Sequence, residues 1–276
     1  MSLAPALPAT GLWPLLLASS IALAAYLTAA LQREPKRFGA ALAIGWIAQG
    51  AAIALHTAGL DQAEPGARFG FAPALSITLW LVVAVYGIES RFVPIVGVRR
   101  SLALLGAIVV MVAWMFPGEL RPHAGSPWAP LHWVLGIASY GLFGVALLHA
   151  ALMRRSEQRL RPKPGAGSAG AMATEPGLPL LKLEALTFRF VAAGFVVLSA
   201  TLALGWWFSQ PWRWDHKAVF SILAWGVFAA LLGGRRAFGW RGRIATRWLY
   251  AGAGLLLLAY VGSRFVIEVL LGRTTA

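Results

Sequence analysis

The chain has 276 residues, 59% of them hydrophobic and 12% charged, with a formal net charge of +14 and a mean hydropathy of +0.69. Soluble domains carry about 25% charged residues, so an ordinary soluble enzyme is excluded, and the wealth of Trp, Phe and aliphatic residues excludes disorder. The absence of cysteine removes disulfides, thiolate metal sites, dithiol relays and thioether-linked haem.

A helix that crosses hydrocarbon needs about 20 apolar residues. Eight segments qualify in chain order: roughly 11–31, 38–59, 72–88, 101–116, 128–153, 185–209, 216–234 and 245–271. The predicted fold is therefore all-α: a polytopic integral membrane helix bundle, one transmembrane domain over residues 1–276. The first segment has no basic stretch before it and no clear cleavage site after it, so it reads as a retained helix. The segment 154–182 is rich in Gly, Ala, Ser and Pro and reads as a flexible cytoplasmic loop.

Basic residues sort these spans by side. Arg33, Lys36 and Arg37 follow the first span, and Arg91, Arg99 and Arg100 the third. Arg154, Arg155, Arg159, Arg161, Lys163 and Lys182 follow the fifth, and Arg235, Arg236, Arg241, Arg243 and Arg247 the seventh. The alternate loops hold only Arg68, Arg121, Arg213, Lys217 and Arg273. The positive-inside rule then puts the richer set in the cytoplasm and both termini outside. The high net charge thus marks one membrane side, and no nucleic-acid partner is expected.

Catalytic and nucleotide motifs are missing. No Walker motif, GxGxxG, HExxH or GxSxG occurs, and the ten acidic residues lie almost wholly in loops or at span ends. No enzymatic activity is expected. A secondary transporter should show paired repeats and midplane polar groups; no fixed-period repeat is found, and the spans offer few such groups beyond Gln49.

Four of the five histidines fall at the outer face in this topology: His56, His123, His132 and His216, with His149 near the inner end. Neutral imidazole is a good axial ligand for haem iron. His132 and His56 weigh most, because ionisable groups within spans are costly and tend to be functional. His123 reads as a solvated loop residue and His149 as a side chain snorkelling to the inner interface. His132 and His149 lie 17 residues apart, a rise of about 25 Å. They could serve two haems only with a partner helix bearing two histidines, and none exists.

The outer loop between the sixth and seventh spans gathers Trp206, Trp207, Trp212 and Trp214, followed by Asp215, His216 and Lys217. Interfacial tryptophans are ordinary, but their crowding into one loop beside a charged trio exceeds that expectation. Aromatic faces suit a flat macrocycle, and indole N–H or ammonium groups meet its carboxylates. Arg264 and Glu268 share a face of the last helix. A buried pair is the plain reading, snorkelling to the interface the next, and contact between Arg264 and a haem propionate the functional one.

The stretch Trp212-Arg-Trp-Asp-His-Lys217, running on to Trp225, resembles the tryptophan-rich segment of the membrane cytochrome c assembly proteins, the CcsA/CcmC haem-handling family. Leu131-His132 with Ser139-Tyr140 resembles that family's outer histidine and the Ser-Tyr pair that follows it. Trp240-Arg-Gly-Arg243 and Tyr260-Val-Gly-Ser-Arg264 resemble its two late motifs, and the eight-span YpjD-like branch is the nearest in pattern. The resemblance implies a bacterial inner-membrane protein of cytochrome c biogenesis that holds haem b at its outer, periplasmic face. It implies haem, the lipid bilayer, other assembly membrane proteins and apocytochrome c as partners. His132 matches the family's first outer histidine, and His56 is the counterpart of a membrane histidine.

Two departures stand out. The family's Leu-His-x-Arg reads Leu232-Gly-Gly-Arg235, and no histidine follows the last span in Leu271-Gly-Arg-Thr-Thr-Ala276. His216, where the family usually has proline, is the candidate substitute. The candidate haem-binding set is therefore His132, His56 and His216 as iron ligands, with Trp212, Trp214, Asp215, Lys217 and Arg264 around the macrocycle. The alternative reading, which the departures support, is a haem-free accessory or transporter-like protein that retains the family fold.

Overall fold

The computed structural model describes residues 12–57, 67–91, 98–121, 128–160, 180–208, 214–266 and 269. Its long helices are α1 (Leu12–Leu31), α2 (Pro35–Thr57), α3 (Phe71–Glu89), α4 (Arg99–Met115), α5 (Ala129–Leu160), α6 (Leu180–Phe208), α7 (His216–Phe238) and α8 (Gly242–Leu257). Helix α8 continues through a π-helical turn, Leu258–Gly262, into the short α9, Ser263–Phe265. Backbone polar groups in hydrocarbon must be satisfied within the segment, which only a helix or a closed barrel achieves.

Seven of these helices are long and apolar enough to cross a membrane. The remaining one, α4, has 17 residues, the lower limit for a span. The predicted spans and the helices agree to within a few residues at most ends. One difference is large: α5 runs seven residues past the predicted exit, so Arg154–Leu160 belong to a helix and not to a flexible loop. The residues there (RRSEQRL) are mostly good helix formers with no Gly or Pro to stop them. Two three-residue strands, β1 (Ala67–Phe69) and β2 (Glu119–Arg121), form an antiparallel ladder that patterning did not indicate, pairing Arg68 with Leu120.

The chain packs as two compact units. The first comprises Met1–Val83, Arg100–Ala129 and Arg264–Ala276. Its centre is the buried ring of Tyr26, against which Gly45 and Gly106 let α2 and α4 close in: a Cβ on either would stand 3.0 Å or 2.9 Å from that ring. The Tyr26 hydroxyl donates to Gln49 Oε1 at 2.6 Å, and Gln49 Nε2 donates to the Ser76 carbonyl and hydroxyl at 3.1 and 3.0 Å. This closed polar chain satisfies an amide that would be costly alone in an apolar core. Trp46 and Trp80 stack at 4.8 Å and exchange indole-to-carbonyl bonds of 3.0 and 2.9 Å.

The second unit comprises Ala84–Arg99 and Pro130–Ser263. Its core joins α5, α6, α7 and α8 through Phe143, Val191, Leu198, Phe228, Leu231 and Leu249 among others. Phe143 and Phe228 lie face to face at 3.9 Å. Helix α7 begins at an N-cap, Asp215, whose carboxylate accepts from the Ala218 amide at 2.9 Å. It ends at Gly239, which takes the left-handed conformation (φ 65°) that a C-terminal helix cap favours.

Candidate functional site

In the second unit, the predicted site residues His132 and His216 stand at the starts of α5 and α7. His132 sits in the first turn of α5, and its Nδ1 lies 3.0 Å from the Thr201 carbonyl of α6. A carbonyl only accepts, so Nδ1 holds the proton and donates it. In the neutral ring Nε2 is then the lone-pair nitrogen. Gly205, one turn on, presses α6 against the imidazole: a Cβ there would lie 3.0 Å from His132 Cε1. A second-sphere carbonyl that fixes tautomer and ring angle is the support that metal-ligating histidines commonly receive.

Three other motif residues converge in the same unit. The Lys217 ammonium lies over the Tyr260 ring at 5.8 Å. The Tyr140 hydroxyl donates to the Leu256 carbonyl, two residues before the π-helical turn. Such turns recur at functional sites. Trp207 and Trp214 are 76% and 70% exposed, and Trp206 is exposed too. His216 is exposed on the first turn of α7. Asp215 is occupied as the cap of that helix. Trp212 lies outside the described residues, as does Glu268.

Two predicted residues belong to the first unit. His56 is in the last turn of α2, with Nε2 2.6 Å from the Pro117 carbonyl. It lines a cleft of about 70 Å³ together with Gln49, Ser76 and Trp114. Arg264 is 3% exposed, and its Nη1 meets Glu119 Oε2 at 3.3 Å. Its ion-pair partner among the described residues is thus Glu119, brought to it by β2.

One site was missed in the sequence. His149 is fully buried, its Nε2 2.9 Å from Glu89 Oε2 and its ring 5.3 Å from that of Phe190. The expectation of a snorkelling side chain is corrected: the imidazole turns inward because Glu89, at the end of α3, offers an acceptor there. Among the described residues its Nδ1 has no hydrogen-bond partner. No spacing rule links positions 60 apart, so only the presence of an acid at the end of a span hinted at the pair.

No group of three or more His, Cys, Asp or Glu that could hold a metal ion occurs among the described residues. Haem needs no such group, since the macrocycle supplies four nitrogens and asks the protein for one or two imidazoles and an apolar face. An oriented imidazole, exposed indoles and a lysine in one unit fit that requirement.

Residues 14–271 match the family described as Cytochrome C assembly protein. The chain belongs to that family. Membership supports a role in cytochrome c biogenesis. The chain is 28% identical over 226 residues to the "Inner membrane protein YpjD" of Escherichia coli strain K12, covering 79% of this chain and 82% of the relative. It is 26% identical over 211 residues to the "Cytochrome c biogenesis protein CcsA" of Thermosynechococcus vestitus, covering 61% and 66%. A 28.8 kDa protein of Azospirillum brasilense with no ascribed function is 29% identical over 217 residues, covering 72% and 76%. No solved structure matches the chain significantly. With seven apolar helices and this similarity, the chain is a multi-pass inner-membrane protein.

Proposed function

We propose that this family member is a haem-handling protein that holds haem b at the periplasmic face during cytochrome c assembly, where His132 would hold the iron. The observation that carries the reading is the 3.0 Å bond from His132 Nδ1 to the Thr201 carbonyl, which leaves the lone pair of the neutral ring on Nε2, the atom a bond to iron would use. The relatives named for cytochrome c biogenesis support the process. Bound haem would supply an iron centre and two propionates.

The protein's residues do the rest. Gly205 and Thr201 hold the His132 ring at a fixed angle. Trp206, Trp207 and Trp214 would offer aromatic surface that excludes water from a macrocycle. Lys217 supplies a cation for a propionate, and Tyr260 keeps it in place. Asp215 acts by capping the helix that presents His216 and Lys217. His216 belongs to the same unit as His132 and is exposed, so it is the preferred second imidazole. His56 would have to release Pro117 first, and Arg264 would have to leave Glu119 to reach a propionate. The chain makes no bonds of its own in this reading. Joining haem to an apocytochrome falls to partner membrane proteins and the thiols of the client.

The test is the visible spectrum of the detergent-purified protein, oxidised and then reduced. The expected result is a Soret band with α and β bands that sharpen on reduction, as two strong axial ligands produce. His132→Ala is expected to lose most of that absorbance, while melting at nearly the wild-type temperature. Undiminished haem in His132→Ala overturns the assignment. A flat spectrum of the wild type, with haem supplied during expression, favours the haem-free accessory reading.

A further inference from the structure

Away from the haem candidates, where α5 ends and α8 begins, the second unit contains a cleft of about 450 Å³. That volume falls within the roughly 300–1,000 Å³ of small-ligand sites. Among the described residues, Arg154, Arg243 and Arg247 line it, with Tyr250 and a single acid, Glu157. The Arg154 guanidinium lies over the Tyr250 ring at 5.8 Å. Arg243 and Arg247, one turn apart on α8, have neither an ion pair nor a hydrogen bond among the described residues. Among the described residues, Glu157 forms no ion pair with any of the three guanidinium groups. Three like charges around one cleft repel one another and are best relieved by an anion bound between them.

The first residue of α8 adds to this field. Gly242 lines the cleft, and the N-cap Arg241 gives its helix no side-chain cap. Its Nε is instead 3.0 Å from Glu184 Oε1. The amide end of α8, with its partial positive charge, therefore opens beside the arginines. An arginine fork matches phosphate oxygens two at a time, which a carboxylate-poor, guanidinium-rich cleft exploits best.

Depth narrows the ligand further. The cleft residues stand at the ends of two apolar helices, Ala129–Gln158 and Gly242–Phe265. At the same end, Trp240 stacks on Trp248 at 5.2 Å and on Phe238 at 6.2 Å, and Phe238 is largely exposed. Aromatic clusters of this kind sit at the headgroup level of a bilayer, where basic pockets between spans take anionic headgroups.

We propose that the cleft of Arg154, Arg243 and Arg247 is a phosphate-binding site, whose phosphate comes from an anionic phospholipid headgroup or from free phosphate. The site is independent of the haem residues and stands or falls without them. The experiment uses the full chain in detergent, its melting followed by tryptophan fluorescence. The probes are short-chain phosphatidylglycerol and, separately, sodium pyrophosphate.

Saturable stabilisation by at least one probe is expected. An Arg243→Gln/Arg247→Gln pair is expected to weaken apparent binding at least tenfold. A control pair in the α1–α2 connection, Arg33→Gln/Arg37→Gln, should bind as the wild type does. Since Arg243 and Arg247 are exposed, the variant should fold, and its melt without probe verifies this. A response to phosphatidylglycerol alone identifies the headgroup, and an equal response to pyrophosphate identifies free phosphate. Stabilisation by neither probe, or equal binding by wild type and the cleft variant, overturns the proposal.

Discussion

His149 and Glu89 show how one pairing can reverse the reading of a residue. Alone near the end of an apolar helix, a histidine is expected to reach for water. Given an acid 2.9 Å away it is fully buried instead. Removing the acid strands a buried ring nitrogen, which costs about 1–3 kcal/mol. Glu89→Ala is therefore expected to lower the melting temperature in detergent, and Glu89→Gln to lower it less, because an amide oxygen still accepts from Nε2. Equal melting of wild type and Glu89→Ala would show that the pair contributes nothing. Asp215, a candidate of the haem site, also has a local task, capping α7.

At the scale of elements, close approach of helices depends on where side chains are missing. A Cβ at Gly252 of α8 would lie 2.7 Å from the buried Phe228 ring of α7, whereas one at Gly226 meets nothing within 4 Å. Overpacking a core costs about 1–3 kcal/mol. Gly252→Ala is expected to destabilise by that order, and Gly226→Ala to melt at or slightly above the wild-type temperature. Matching losses in both would mean that helix propensity, and not packing, governs the pair. The helices themselves were legible from apolar runs near 20 residues long. The extension of α5 and the β1–β2 ladder were not, because a polar stretch or a three-residue strand has no period to read.

For the whole molecule, the asymmetric distribution of basic residues determines the orientation expected in the membrane. Seventeen Lys and Arg fall in one set of alternate loops and five in the other. A fluorescent reporter inserted at about position 170 is expected to be fluorescent in the cytoplasm, and alkaline phosphatase joined at residue 276 to be active. The reverse pattern would refute the orientation and, with it, a periplasmic haem face. Changing Arg99 and Arg100 to Gln should leave the pattern intact, since the bias is spread over four loops.

The sequence by itself determined the all-helical membrane fold, the approximate spans, the family and the candidate imidazoles. These properties are written locally: hydrocarbon demands long apolar helices, and motifs lie within short stretches. The tertiary structure decided the partners. Thr201 for His132, Glu89 for His149 and Glu119 for Arg264 are separated in sequence by 69, 60 and 145 residues. Hydrogen bonds and ion pairs act only over a few ångströms, so folding had to bring these groups together before each side chain's task could be read.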